Sequence, residues 1–205
     1  MYEQAITSKT KCVLESLNKS GITKDFYLAG GTALALYLGH RFSIDLDFFS
    51  PDFSYTPNFK KKLSEIGNLT IDEETEDTFN GSIDGVKVSF LKYPYPLISP
   101  KEKYMENVYL AGKEDIAIMK LEAIAGRGSY KDFIDIYFLL QEFSLGDILN
   151  NLKKKFDGID YNTMHLIKAL NYFDDVENSE MPQMIKKVNW EDIKKKLIND
   201  TQKYL

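Results

Sequence analysis

Hydrophobic positions along the chain change period several times, and each change predicts an element. Between Tyr2 and Asn18, the residues Ile6, Val13, Leu14 and Leu17 recur on one face of a helix, with Gly21 as its stop. Phe26-Tyr27-Leu28-Ala29 is a short apolar strand running into Gly30-Gly31. Thr32 to Leu38 is rich in Ala and Leu and predicts a helix, closed by Gly39. Ile44 to Phe49 alternates apolar and acidic residues, the period of a strand. A helix from Pro57 to Ile66 follows, since proline suits a first helical turn. Strands are expected at Leu69 to Glu76, at Thr78 to Ile83 and at Val86 to Leu91, the last two joined by an Asp84-Gly85 hairpin turn.

The segment from Tyr93 to Pro100 carries prolines that remove donors and fix backbone angles, and the predicted boundary between halves lies there. Beyond it the pattern predicts helices alone: Lys113 to Ala125, Tyr130 to Phe143, Leu145 to Phe156, Tyr161 to Tyr172 and Glu191 to Leu205. The expected class is α+β, with a small mixed sheet and flanking helices in residues 1–100 and a helical half in residues 101–205.

Composition narrows the function without assigning it. At 205 residues, 43% hydrophobic and 28% charged, the chain is of ordinary globular composition. It has no run near the roughly 18 apolar residues of a membrane span. The first eleven residues lack a signal-peptide pattern, so a cytoplasmic setting is expected. Cys12 is alone, which rules out an intrachain disulfide and a cysteine-based zinc site, and two histidines cannot make a histidine-rich one. Net charge is −5, with neither half basic, so no large nucleic-acid surface is indicated. The lysine runs at 153–155, 186–187 and 194–196 read as solvated helix faces or as local contacts to an RNA backbone. His165, with no acid close in sequence, reads as structural.

The chemistry concentrates in residues 26–50. Asp45 and Asp47 are two apart on a predicted strand, so their side chains leave one face with Cα atoms roughly 6.6 Å apart. Ile44, Leu46 and Phe48 would bury the other face. Two carboxylates this close repel unless a cation lies between them, and Mg2+ is commonly held by one or two carboxylates plus water and phosphate oxygens. Gly30-Gly31 lets the backbone approach a ligand closely, and the following helix offers free N–H groups and a partial positive charge. Thr32 could donate to a phosphate or cap the helix; Arg41 could neutralise a triphosphate or complement the helix C-terminus.

A second group lies on the predicted helices. Lys120 has Ile116, Ala117, Ala123 and Ile124 as its neighbours three and four residues away. An ammonium in such a stripe must snorkel or meet an acid or phosphate. Asp132 could complete the site or serve as the acid of a capping box begun by Ser129. Asp135, beside Phe138 and Leu139, would need a partner such as Arg127 or Lys120.

Together, Leu28-Ala29-Gly30-Gly31-Thr32-Ala33-Leu34-Ala35-Leu36 and Gly39-His40-Arg41-Phe42-Ser43-Ile44-Asp45-Leu46-Asp47 resemble the signature of the AbiEii/AbiGii nucleotidyltransferase toxins. Lys120-Leu121-Glu122-Ala123-Ile124, Arg127-Gly128 and Lys131-Asp132-Phe133-Ile134-Asp135 resemble that family's C-terminal motif. The resemblance implies a polymerase-β-like nucleotidyltransferase core in residues 1–100 and a helical domain in 101–205 that contributes Lys120 and Asp132. It implies transfer of a nucleotide from a nucleoside triphosphate with Mg2+, to an RNA or tRNA hydroxyl, countered by a cognate antitoxin protein. By position, Gly30, Gly31, Thr32 and Arg41 would hold nucleotide, Asp45 and Asp47 the metal, and Lys120 and Asp132 would complete the catalytic set. The chain departs from many nucleotidyltransferases on the strand Val86 to Leu91, which offers Lys87 and Ser89 but no third acid. Either Asp132 or Asp135 supplies the missing base, or the chain is a non-catalytic nucleotide- or partner-binding module. Phosphoryl rather than nucleotidyl transfer is a third reading.

Overall fold

The computed structural model describes residues 1–159, 161–174, 176 and 179–205, and among these an alternation of buried and exposed side chains builds a seven-stranded mixed sheet. Its strands are β1 (Tyr27–Leu28), β2 (Leu46–Ser50), β3 (Leu69–Glu74), β4 (Thr78–Ile83), β5 (Val86–Lys92), β6 (Glu102–Lys103) and β7 (Tyr109–Leu110), in the spatial order β3-β4-β5-β2-β1-β7-β6. β2 runs antiparallel to β1 and parallel to β5, so the acidic strand is central. The turn between β4 and β5 puts Asp84 at φ 50° and Gly85 at φ 72°, the left-handed pair that a two-residue hairpin requires.

Eight α-helices surround the sheet among the described residues: α1 (Ser8–Ser20), α2 (Gly30–Leu38), α3 (Pro57–Ser64), α4 (Lys113–Gly126), α5 (Tyr130–Leu139), α6 (Leu145–Lys155), α7 (Thr163–Ala169) and α8 (Trp190–Thr201). None is long and apolar enough to cross a membrane. α2 is buried on nearly all sides, from Thr32 to Leu36 and again at Leu38, which is why its sequence is almost wholly apolar. It packs against β2, α4 and α5, so the first half of the chain meets the second around this helix.

Two expectations need correction. The first helix starts later than Tyr2, because Thr7 takes an extended conformation and its hydroxyl caps Thr10 N at 3.1 Å. The region after residue 100 is not purely helical: β6 and β7 join the sheet, with Leu28 paired to Leu110 and Ala111 N donating to Leu28 O at 2.9 Å. Strands of two residues are too short to show a period, and their pairing to β1 is decided by the tertiary fold.

The irregular segment before β6 is fixed by buried charge. The Asp115 carboxylate on α4 accepts from Ile98 N and Ser99 N at 3.0 and 3.1 Å. Lys155 on α6 donates to Asp115 at 2.7 Å and to Pro96 O at 2.9 Å. Lys155 is therefore no part of a solvated lysine face; it is 2% exposed. On the other side of the sheet, Phe90 of β5 packs against Phe26, Phe48 and Phe59 with ring centroids 5.0, 5.1 and 4.9 Å away. Removing a ring at the centre of such a cluster leaves a cavity. Phe90→Ala is expected to lower stability by about 3–5 kcal/mol, read as a shift in the urea midpoint; a change under about 1 kcal/mol would contradict this packing.

Candidate active site

The site begins where β1 gives way to α2. Gly30 makes this turn at φ 64°, in the left-handed region that a side chain disfavours. A Cβ there would also stand 2.9 Å from Asp47 Oδ2, so the bend and the acid are in close contact. At Gly31 a Cβ would collide with the Arg41 guanidinium. α2 starts without a side-chain cap, which leaves first-turn N–H groups and a partial positive charge at the bend. Ala29 N donates to Asp47 O at 3.0 Å and fixes the bend against the acidic strand.

Asp47 lies on β2, on the face opposite the buried Leu46 and Phe48, and Asp45 lies just ahead of the strand. Ile44 does not join that buried face as expected: it is 57% exposed, because the chain enters β2 only at Leu46. Burial raises the Asp47 pKa, and the neighbouring Asp45 charge adds to the rise; Lys120, Lys131 and the Ser89 hydroxyl pull the other way. Lys131 Nζ stands 4.0 Å from Asp45 Oδ2. Both carboxylates border one cleft of about 750 Å³ that also receives Gly30, Gly31, Arg41 and Lys120.

Thr32 is placed differently. It is 1% exposed and its hydroxyl is bonded to Ser43 Oγ at 2.8 Å and, closely, to Asp45 O. It fixes the backbone that carries Asp45 and is not free to reach a phosphate.

Behind the cleft lies a buried network of charges. Asp135 Oδ1 accepts from Arg41 Nε at 2.7 Å and Asp135 Oδ2 from Arg41 Nη2 at 2.7 Å. Lys120 Nζ is 2.7 Å from Asp135 Oδ2 and 2.9 Å from Asp132 Oδ1. Arg127 and Ser129 donate to Asp132 at 3.0 and 2.6 Å. Burial works to raise the pKa of both aspartates, but the surrounding cations and hydrogen bonds override it and hold both carboxyls below the usual range. His40 contacts Asp135 Oδ1 through Nε2 at 2.8 Å. Burial pushes the His40 pKa down despite this acid, so the ring is neutral and Nε2 is the donor to the ionised carboxylate.

This arrangement answers what Lys120 meets in its apolar stripe: two acids. It also corrects two further expectations. Ser129 does not form a capping box with α5; its hydroxyl donates to Asp132 instead. Neither Asp132 nor Asp135 borders the cleft, and a carboxylate held by three side chains cannot serve as a free base. On β5 the residue paired with Asp47 is Ser89, and Leu91 lines the cleft beyond it, so the third acid is absent from that strand. His165, for its part, borders a separate small cavity with Lys168 and Tyr172.

Arg127, Lys131 and the segment 179–183 also line the cleft. Arg127 and Lys131 lie inside the C-terminal motif and could have been named from it. The segment 179–183 carries no local signal: it is brought in by long-range pairing, with Phe42 N donating to Gln183 O at 2.9 Å and Tyr130 N to Ser179 Oγ at 2.9 Å.

The model of the family described as "Nucleotidyl transferase AbiEii toxin, Type IV TA system" matches residues 12–204. An uncharacterised protein of Aquifex aeolicus (strain VF5) is 37% identical over 197 residues, covering 94% of each chain. The nucleotidyltransferase toxin MenT4 of Mycobacterium tuberculosis H37Rv is similar in fold at a TM-score of 0.59 and 12% identity, over 96% of this chain and 85% of that one. The antibiotic-resistance factor ANT(2'')-Ia gives a TM-score of 0.54 at 12% identity, over 72% of this chain and 92% of that one.

The buried network sets a test of its own. Asp135→Asn leaves Arg41 and Lys120 short of a counter-charge and is expected to cost about 3–5 kcal/mol. Because both folded pKa values are depressed, the stability they contribute is complete above the unfolded value of about 3.9 and is lost as pH falls through the lower folded values. Melting curves collected from neutral to acidic pH should show a shallower acid loss in Asp135→Asn than in wild type. Parallel curves would contradict the assignment.

Proposed function

Because the chain belongs to the AbiEii family of nucleotidyl transferase toxins, we propose that its cleft binds a nucleoside triphosphate with Mg2+ and transfers the nucleotidyl group to a hydroxyl of RNA. The observation that supports this reading most is the contact between the Gly30 bend and Asp47: an anion-attracting backbone and a cation-attracting carboxylate meet in one cleft. Family membership favours an enzyme over the non-catalytic binding module.

The donor set suits magnesium. Asp45 and Asp47 would hold the ion, and among the described residues no third Asp, Glu, His or Cys joins them in a cluster, so water and phosphate oxygens would complete its shell. When bound, the ion would neutralise phosphate charge and relieve the repulsion between the two acids. The chain's own residues do the rest. Gly30 and Gly31 bring backbone N–H groups to the phosphates. Arg41 and Lys120, held in place by Asp135 and Asp132, present fixed positive charge, and Arg127 and Lys131 add charge along the same wall. An acceptor oxygen then attacks the α-phosphorus, the bond from it to the β-phosphate bridging oxygen breaks, and pyrophosphate leaves. Positioning and electrostatic stabilisation supply most of the rate in such transfers.

The family description, a type IV toxin–antitoxin system, supports a partner antitoxin protein, and an acceptor on tRNA would suit a toxin that arrests growth. The Asp45→Ala and Asp47→Ala variants are expected to keep the wild-type melting temperature and to lose transfer. The measurement is incubation with total RNA and each triphosphate, labelled in turn at the α- or γ-phosphate. Label reaching RNA from the α-position alone, in wild type alone, is the expected result. Undiminished transfer by Asp47→Ala, or transfer of the γ-label, would contradict the mechanism.

A further inference from the structure

The transfer needs a group to accept the proton of the attacking hydroxyl. β5 provides no acid, and Asp132 and Asp135 are sealed behind the cleft by cations. Among the described residues that line the cleft, the remaining carboxylate besides Asp45 and Asp47 is Glu180. We propose that Glu180 is the general base of the nucleotidyl transfer, a role that rests on the transferase reading above.

Two independent anchors hold the segment of Glu180 against the cleft that Asp45 and Asp47 border. The first is register. Arg41 forms an antiparallel bridge with Met184, and Phe42 N donates to Gln183 O at 2.9 Å. This pairing ties Gln183 to the stretch that leads into Asp45. The second anchor is at α5. Ser179 Oγ accepts from Tyr130 N at 2.9 Å, and the next residue, Lys131, reaches within 4.0 Å of Asp45 Oδ2. Glu180 thus stands between two tethered residues, Ser179 and Gln183, in the lining of the cleft that the carboxylate pair borders.

Its surroundings differ from those of the buried aspartates. Glu180 is exposed at the rim, where an acceptor from solution arrives, while Asp132 and Asp135 are fully buried. Nor does it gather with Asp45 and Asp47 into a three-acid metal cluster. A solvent-exposed carboxylate in the lining of the same cleft can take a proton without binding the metal. In the step, the acceptor O–H bond breaks and its proton passes to the Glu180 carboxylate. The acceptor oxygen bonds to the α-phosphorus as the bond to the pyrophosphate oxygen breaks, and the proton is then released to water.

The experiment compares wild type, Glu180→Gln, Glu180→Ala and Asp47→Ala, using total RNA and α-labelled triphosphates. Glu180→Gln keeps the size of the side chain and removes its basicity. It should lower kcat by about 10²- to 10⁴-fold, the contribution typical of a positioned base, with the KM for triphosphate unchanged. In Glu180→Ala, added formate should restore part of the rate by acting in the vacated space, which no merely structural role predicts. Wild-type kcat in Glu180→Gln alongside an inactive Asp47→Ala would overturn the assignment and leave nucleotidyl transfer standing. A rise in KM with kcat unchanged would make Glu180 a binding residue and overturn it too. Insensitivity to all three substitutions would overturn both readings.

Discussion

Three segments far apart in sequence meet at one buried carboxylate. Asp135 on α5 holds Arg41 and His40 from the stretch after α2, and Lys120 from α4, with contacts of 2.7 to 2.8 Å. A charge in this position is costly to bury, and taking away one partner strands the others. The network therefore fixes where α4 and α5 sit against α2 and presents Arg41 and Lys120 to the cleft as fixed rather than searching charges. Preorganised charge of this kind is what a phosphate-handling site needs, because no reorganisation is then required during the reaction.

The front of the cleft follows a complementary logic. Its two acids are left without the neutralisation that Asp132 and Asp135 receive. Asp47 is pushed toward the protonated form by burial and by Asp45, and the nearest cation to Asp45 is Lys131 at 4.0 Å. One pair of aspartates is saturated by protein cations and acts as scaffold; the other is undersaturated and, in the proposed function, would receive a cation from outside. The same residue type thus has two functions, separated by what each carboxylate touches.

How much of this was legible from the sequence depended on how local each signal was. The Gly-Gly turn, the carboxylate pair and the apolar α2 are determined within about twenty residues, and the expected elements around them need only small changes of boundary. Lys120 was marked by its apolar neighbours, which left it needing an acid without saying which one. Thr32 was legible as a polar group at a helix start, but its partners, Asp45 O and Ser43, are set by packing; Ser129 was already paired with Asp132, and only the form of the bond differs from a capping box. β6 and β7 are too short to carry a period, and the wall at 179–183 depends on a bridge between residues more than 140 positions apart. No pattern in the sequence announces a contact of that range, which is why Glu180 became visible only in the fold.

The proposed chemistry requires a divalent cation and a phosphate chain to be held together between the Asp45/Asp47 pair and the Gly30 bend. Calorimetric titration of the wild-type chain with a non-hydrolysable triphosphate, in magnesium and then in EDTA, tests it most directly. Saturable binding in magnesium, lost in EDTA, is expected. Equal affinity under both conditions, or no binding of any triphosphate in magnesium, would contradict it.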